Sequence, residues 1–200
     1  MDTVFDETRL NEAFMLLDGR LRLIGASPVG LVVCGGASLL ATGLVSRTTR
    51  DVDIVAMMAK KGALTDPDPL PEALIRASGE VTEVLGLPED WLNNRPSRGD
   101  GGLFRMGLPS GLCERLQLRH YGACLTVGFI SRLDQIHFKL YAAVDRGGYH
   151  ISDLVALNPA DSELEAAARW SMTHDVSEGF RGALKQLLMD LGHAIVAERL

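Results

Sequence analysis

Leu10, Phe14, Leu17, Leu21 and Ile24 recur at three- and four-residue intervals, which predicts an amphipathic helix over residues 6–24. Gly25-Ala26-Ser27-Pro28 stops it. Gly30-Leu31-Val32-Val33-Cys34 is a continuous apolar run bounded by glycines, the pattern of a buried strand. Gly35-Gly36 then turns the chain into a short Ala- and Leu-rich helix ending near Gly43. Asp51-Val52-Asp53-Ile54-Val55 alternates and is β-branched, so it reads as a second strand. Three prolines between Asp66 and Pro71 require a loop, and residues 71–86 suit one or two helices. Asn93 to Gly102 is polar and glycine-rich, the composition of a mobile loop. Strand-like runs follow at Arg115–Arg119 and Cys124–Ile130. Ser131-Arg132-Leu133-Asp134 resembles a capping box opening a helix that runs to about Asp145. The remainder is helical, with starts at Asp161 or Ser162 and at Ser177. The expected class is therefore α/β: a mixed sheet flanked by helices, with a helical C-terminal portion. The boundary is expected after residue 158, giving 1–158 and 159–200.

Composition narrows the classes. Of 200 residues, 46% are hydrophobic and 23% charged, as in an ordinary globular chain. The formal charge of −6 argues against a surface that coats nucleic acid. The balance is uneven, however: residues 91–150 hold eight cations against four acids, a net +4. That basic segment suits a triphosphate or a short stretch of nucleic acid. Three widely separated cysteines (Cys34, Cys113, Cys124) fit reduced thiols in the cytoplasm better than a disulfide framework. The acidic start, Met1 to Glu7, lacks the features of a signal peptide. Residues 23–46 carry no charge, but Pro28 and five glycines divide them into strand, turn and helix, so no membrane association is expected.

Cys34-Gly35-Gly36-Ala37-Ser38 and, with fourteen residues intervening after Gly36, Asp51-Val52-Asp53 carry the chemistry. Adjacent glycines after a strand let the backbone turn tightly and approach a ligand. The helix behind them aims its first N–H groups at the same space, which favours phosphate. Ser38 adds a hydroxyl, and Arg47 and Arg50 add cations suited to phosphate oxygens. Asp51 and Asp53, ~7 Å apart along one face of a strand, suit Mg²⁺, a hard cation that takes carboxylate and phosphate oxygens. A phosphate cradle with metal carboxylates is the equipment of two-metal nucleotidyl transfer.

Gly35-Gly36-Ala37-Ser38-Leu39 followed by Arg50-Asp51-Val52-Asp53-Ile54 resembles the signature of the polymerase-beta-like nucleotidyltransferase superfamily. The later Phe138-Lys139-Leu140-Tyr141-Ala142-Ala143, Asp145-Arg146-Gly147 and Asp153-Leu154 resemble its bacterial AbiE-type branch, which includes toxin nucleotidyltransferases. Trp91-Leu92-Asn93 is similar to an uncharacterised bacterial subgroup of that branch. The resemblance spans roughly residues 25–158 and implies a nucleotidyltransferase-type fold. It implies that Gly35, Gly36 and Ser38 hold nucleotide phosphates and that Asp51 and Asp53 bind two Mg²⁺ ions. Lys139 would neutralise the triphosphate, and Asp153 would be a further active-site acid. The implied substrate is an NTP and the acceptor a hydroxyl of RNA (tRNA in toxin members), protein or a small molecule. A cognate antitoxin protein is an implied partner. On its helix Lys139 borders the stripe Leu133, Ile136, Leu140 and Ala143, from which its chain can lift the ammonium into a cleft. The sequence departs from the pattern in a long Gly36–Asp51 interval and in the third strand carboxylate: Glu114 is the nearest candidate, and Cys124–Ile130 holds no acid.

Other readings are weaker. Five scattered histidines (His120, His137, His150, His174, His193) lack metal-ligand spacing, and His137 reads as a helix-side residue. No Gly-x-Ser-x-Gly, Gly-x-Gly-x-x-Gly or Walker sequence is present. A haloacid-dehalogenase-type phosphatase also uses Asp-x-Asp after a strand but needs a later acidic pair that is not evident. A catalytically degenerate nucleotide- or protein-binding member of the same fold is the alternative to the enzyme.

Overall fold

The computed structural model describes residues 4–59 and 62–200. It is a mixed α/β structure that divides into two compact units, Met1–Ser131 and Arg132–Leu200. The two helices between Arg132 and Ala156, which lie before the expected boundary at residue 158, fall in the second compact unit.

In the first unit, helix α1 (Glu7–Leu23) begins where the Asp6 carboxylate accepts the Arg9 N–H at 2.8 Å. Arg20 and Arg22 close its last turn, complementing the helix dipole. Strand β1 (Val29–Cys34) leads directly into the seven-residue α2 (Gly35–Ala41), and β2 (Val52–Met58) returns antiparallel to β1. A bulge between Val32 and Val33 shifts the register so that Cys34 lies opposite Asp53. β3 (Leu64–Thr65) and β4 (Leu92–Asn93) pair with the two ends of β2, and β5 (Gln117–His120) pairs with β6 (Leu125–Phe129). The sheet order is β3-β2-β1-β6-β5, with β1 and β6 parallel and β4 parallel to β2.

Residues 71–86 form one helix, α3 (Glu72–Leu85), ended by Gly86 in the left-handed conformation at φ 61°. The apolar stripes of α1 (Leu10, Phe14, Leu17, Leu21) and α3 (Leu74, Ala77, Val81) bury against Leu31, Val33, Val52, Ile54, Val127 and Phe129 of the strands. Each such side chain contributes about 1.5–3 kcal/mol. Trp91 is fully buried among them, its ring 5.7 Å from Phe5 and 6.4 Å from Phe14, and its Nε1–H donates to Ser78 O at 3.2 Å. Asp18 of α1 accepts both the Cys124 and Leu125 N–H groups at 2.8 Å, fixing the start of β6.

The stretch from Asn93 to Gly102 corrects the sequence reading. It is not a loose loop but β4, a 3₁₀ turn (Arg95–Ser97) and the approach to α4 (Leu103–Met106), with Asn93, Asn94 and Ser97 buried. Ser97 Oγ donates to Val55 O at 2.8 Å and Asn94 Nδ2 to Pro67 O at 3.0 Å. Asp68 accepts the Gly99 N–H at 3.0 Å, and Arg105 Nε reaches Asp66 at 2.6 Å. Gly102 packs so closely on Ser97 that a Cβ would lie 2.7 Å from its Cα. Polar side chains and glycine serve close backbone packing here, with the proline loop as partner.

The second unit is helical: α5 (Arg132–Arg146), α6 (Tyr149–Ala156), α7 (Asp161–His174), α8 (Glu178–Asp190) and α9 (Ala194–Arg199). α8 starts where expected, Ser177 Oγ accepting the Phe180 N–H at 3.2 Å. Arg132 staples α5 to the α6–α7 connection, donating to Leu157 O, Asn158 O and both Glu163 carboxylate oxygens at 2.6–3.1 Å. Trp170 of α7 stacks on Phe138 of α5 at 5.5 Å, so both tryptophans are packing residues. Among the described residues no helix is long and apolar enough to cross a membrane.

Candidate functional site

The fold brings the glycine turn and the second strand together. β1 delivers Gly35 and Gly36 opposite the start of β2, with Cys34 and Asp53 as register partners. Gly35 has φ 65°, and a Cβ on it would lie 3.0 Å from Asp53 Oδ2, so the Asp53 carboxylate sits over the space that glycine leaves. A Cβ on Gly36 would lie 2.6 Å from Thr49 Oγ1 and 3.5 Å from Arg47 Nη2. Thr49 is buried and organises this corner: it exchanges backbone hydrogen bonds with Phe5, and its hydroxyl donates to Asp51 O at 3.3 Å. Gly35, Gly36, Arg47, Thr49, Asp51 and Asp53 therefore form one locality. Arg50 is exposed beside it.

Asp51 lies one residue before β2. Its Oδ2 is 3.3 Å from Arg95 Nη1, while Arg95 Nη2 contacts Asp90. No sequence pattern joins Arg95 and Asp90 to Asp51. The separation of 44 residues leaves no local signal, although the Trp91-Leu92-Asn93 motif lies between them. Asn93, opposite Asp53 in the β2–β4 register, accepts the Arg95 N–H through its side-chain oxygen at 3.0 Å.

Ser38 lies apart from this locality. It is fully buried on α2, and its hydroxyl donates to Ile130 O at 3.3 Å, tying the helix to the end of β6. No side chain caps α2.

Lys139 and Asp153 are brought together within the second unit. Lys139 Nζ is 2.7 Å from Asp153 Oδ2, with the side chains 4% and 3% exposed, and the ammonium stands 5.5 Å over the Tyr149 ring. Eight residues of α5 are buried, Lys139 among them, and at that depth its ammonium ends on a counter-charge. His137 hydrogen-bonds Leu133 O at 2.8 Å in the preceding turn, a helix-side role.

Mg²⁺ is commonly held by one or two carboxylates, with phosphate oxygens and water completing the octahedron, and the carboxylates of Asp51 and Asp53 are the donor chemistry for one such ion. A second ion needs a bridging acid. Among the described residues the strands paired with β2 carry none: β1 is Val-Gly-Leu-Val-Val-Cys, β3 Leu-Thr and β4 Leu-Asn. Nor do the described residues contain a group of three or more His, Cys, Asp or Glu side chains able to hold a metal.

The cations of residues 91–150 are largely engaged by acids. Arg95 meets Asp51 and Asp90, Arg105 meets Asp66, Asp68 and Asp100, Arg119 meets Glu7, Arg132 meets Glu163, and Arg146 meets Asp145. The Asp66 and Glu163 carboxyls are each held below the usual range, chiefly by their hydrogen bonds to Arg105 and Arg132. No family model, curated protein or solved structure matches the chain.

Proposed function

We propose that the chain is a Mg²⁺-dependent nucleotidyltransferase of the polymerase-beta-like type, moving NMP from an NTP onto a hydroxyl acceptor. The observation that carries this reading is the apposition of Gly35 and Asp53, with Gly36 packed on Thr49 and Arg47. Two motif halves, with fourteen residues between Gly36 and Asp51, meet at one point, in the order strand, glycine turn, strand carboxylate. Asp51 and Asp53 would hold Mg²⁺, which would supply charge neutralisation at the phosphates. The glycine turn leaves backbone room for a phosphate, and Arg47 and Arg50 offer charge-assisted hydrogen bonds to its oxygens. The acceptor oxygen bonds to the α-phosphorus, the bond from that phosphorus to the bridging oxygen breaks, and pyrophosphate leaves with the electron pair. The acceptor proton passes to a base. The AbiE-type resemblance extends the reading to Lys139 and Asp153, to a tRNA or other RNA acceptor, and to a toxin with a cognate antitoxin.

One observation favours a second reading, a catalytically degenerate nucleotide- or protein-binding member of this fold: among the described residues no strand paired with β2 carries the bridging acid, and Asp51 already meets Arg95. Radiolabelled NTPs with Mg²⁺ and total RNA or candidate proteins separate the two. The enzyme transfers label and Asp53→Ala does not. The binding member retains NTP without transfer.

A further inference from the structure

The Asp90–Arg95 segment is seated against the candidate carboxylate site more firmly than its exposure requires. Trp91 is buried in the core, Val52 N–H donates to Trp91 O at 2.6 Å, and β4 runs parallel to β2 with Leu92 opposite Val52 and Asn93 opposite Asp53. Asn93 spans the turn, its Oδ1 accepting the Arg95 N–H at 3.0 Å and its Nδ2 donating to Asp90 O at 3.4 Å. The root of Arg95 is thus fixed while its head is shared between two carboxylates. Its Nη1 is 3.3 Å from Asp51, longer than the ~2.7–2.9 Å of a strong charge-assisted bond, and Nη2 faces Asp90. Arg95 is 52% exposed and Asp51 32%, so water and salt weaken the Asp51 arm.

We infer that Arg95 is a positioning residue that competes with a divalent cation for Asp51, so that the Asp51–Arg95–Asp90 bridge sets the metal affinity of the site. This rests on the reading of Asp51 and Asp53 as metal ligands. A hard divalent cation outbids a guanidinium for a carboxylate oxygen, and the fork of Arg95 remains held by Asp90, suited to bidentate contact with a phosphate.

The test measures Mn²⁺ binding to the full chain, without nucleotide, by the electron paramagnetic resonance signal of the free ion. Arg95→Gln is expected to tighten binding about two- to fivefold, the worth of an exposed ion pair. Asp90→Asn, which leaves Arg95 wholly to Asp51, weakens binding. Arg98→Gln removes the same charge from a side chain bonded to Asn94 and changes nothing. Arg95→Gln binding no tighter than wild type, or Arg98→Gln tightening equally, overturns the competition. If Asp53→Asn abolishes binding while Arg95→Gln matches wild type, only the competition fails and the metal site stands. If neither wild type nor Arg95→Gln binds Mn²⁺, the metal-site reading fails with it.

Discussion

Replacing Lys139 by Met keeps an unbranched apolar chain of similar reach and removes only the ammonium. In the structure that ammonium is 2.7 Å from Asp153, and the two side chains are 4% and 3% exposed. Methionine therefore leaves the packing of α5 on α6 nearly intact and strands a buried carboxylate, a loss of about 3–5 kcal/mol. The lost contact over the Tyr149 ring adds about 0.5–2 kcal/mol. Neutralising both partners, Lys139→Met with Asp153→Leu, removes the stranded charge, and apolar replacement of a buried pair is often neutral or stabilising. The assay is urea unfolding followed by tryptophan fluorescence, since Trp170 stacks on Phe138, a neighbour of Lys139 on α5. The expected pattern is a large loss in Lys139→Met and recovery of most of it in the double variant. A single-variant loss below about 0.5 kcal/mol, the scale of an exposed pair, refutes the buried-pair account.

Three further outcomes follow from the fold. Gly102→Ala sets a Cβ against the Ser97 backbone, which cannot rotate away, and is expected to cost about 1–3 kcal/mol in urea unfolding; a neutral result means the segment is loose after all. Trp91→Ala empties the centre of the first core and is expected to lower stability by about 3–5 kcal/mol, read by circular dichroism. Asp66 and Glu163 are depressed below their ordinary values of 3.8 and 4.5 by Arg105 and Arg132, so their contribution is full above those values. It is lost as pH falls through the depressed values, so the thermal midpoint should drop below about pH 4.5, less steeply in Glu163→Gln. An unchanged slope in that variant contradicts the assignment.

The elements whose signals are local were legible in the sequence. The stripe of α1, the apolar run of β1, the alternation of β2 and the Ser177 start of α8 each depend on residues within a turn or two. What was not legible is the partner a polar side chain finds at long range. Asn94 and Ser97 look like loop residues until Pro67 and Val55 accept from them. Lys139 looks like the edge of a stripe until Asp153 arrives on the next helix. At the candidate site the convergence of Gly35, Gly36 and Asp53 follows from strand–turn–strand order, which the sequence displays. The bridge from Asp51 to Arg95 and the burial of Ser38 against Ile130 depend on β4 and β6, whose placement no local pattern announces.

The central claim is that Asp51 and Asp53 hold Mg²⁺ against a nucleotide at the Gly35-Gly36 turn. Isothermal titration of the full chain with each of the four NTPs, with and without Mg²⁺, tests it most directly when repeated on Asp51→Asn and Asp53→Asn. The account predicts binding of at least one NTP that requires Mg²⁺ in the wild type and loses that requirement, or the binding itself, in both variants while their circular dichroism stays native. No binding of any NTP, or Mg²⁺-dependent binding that both variants retain, would contradict it.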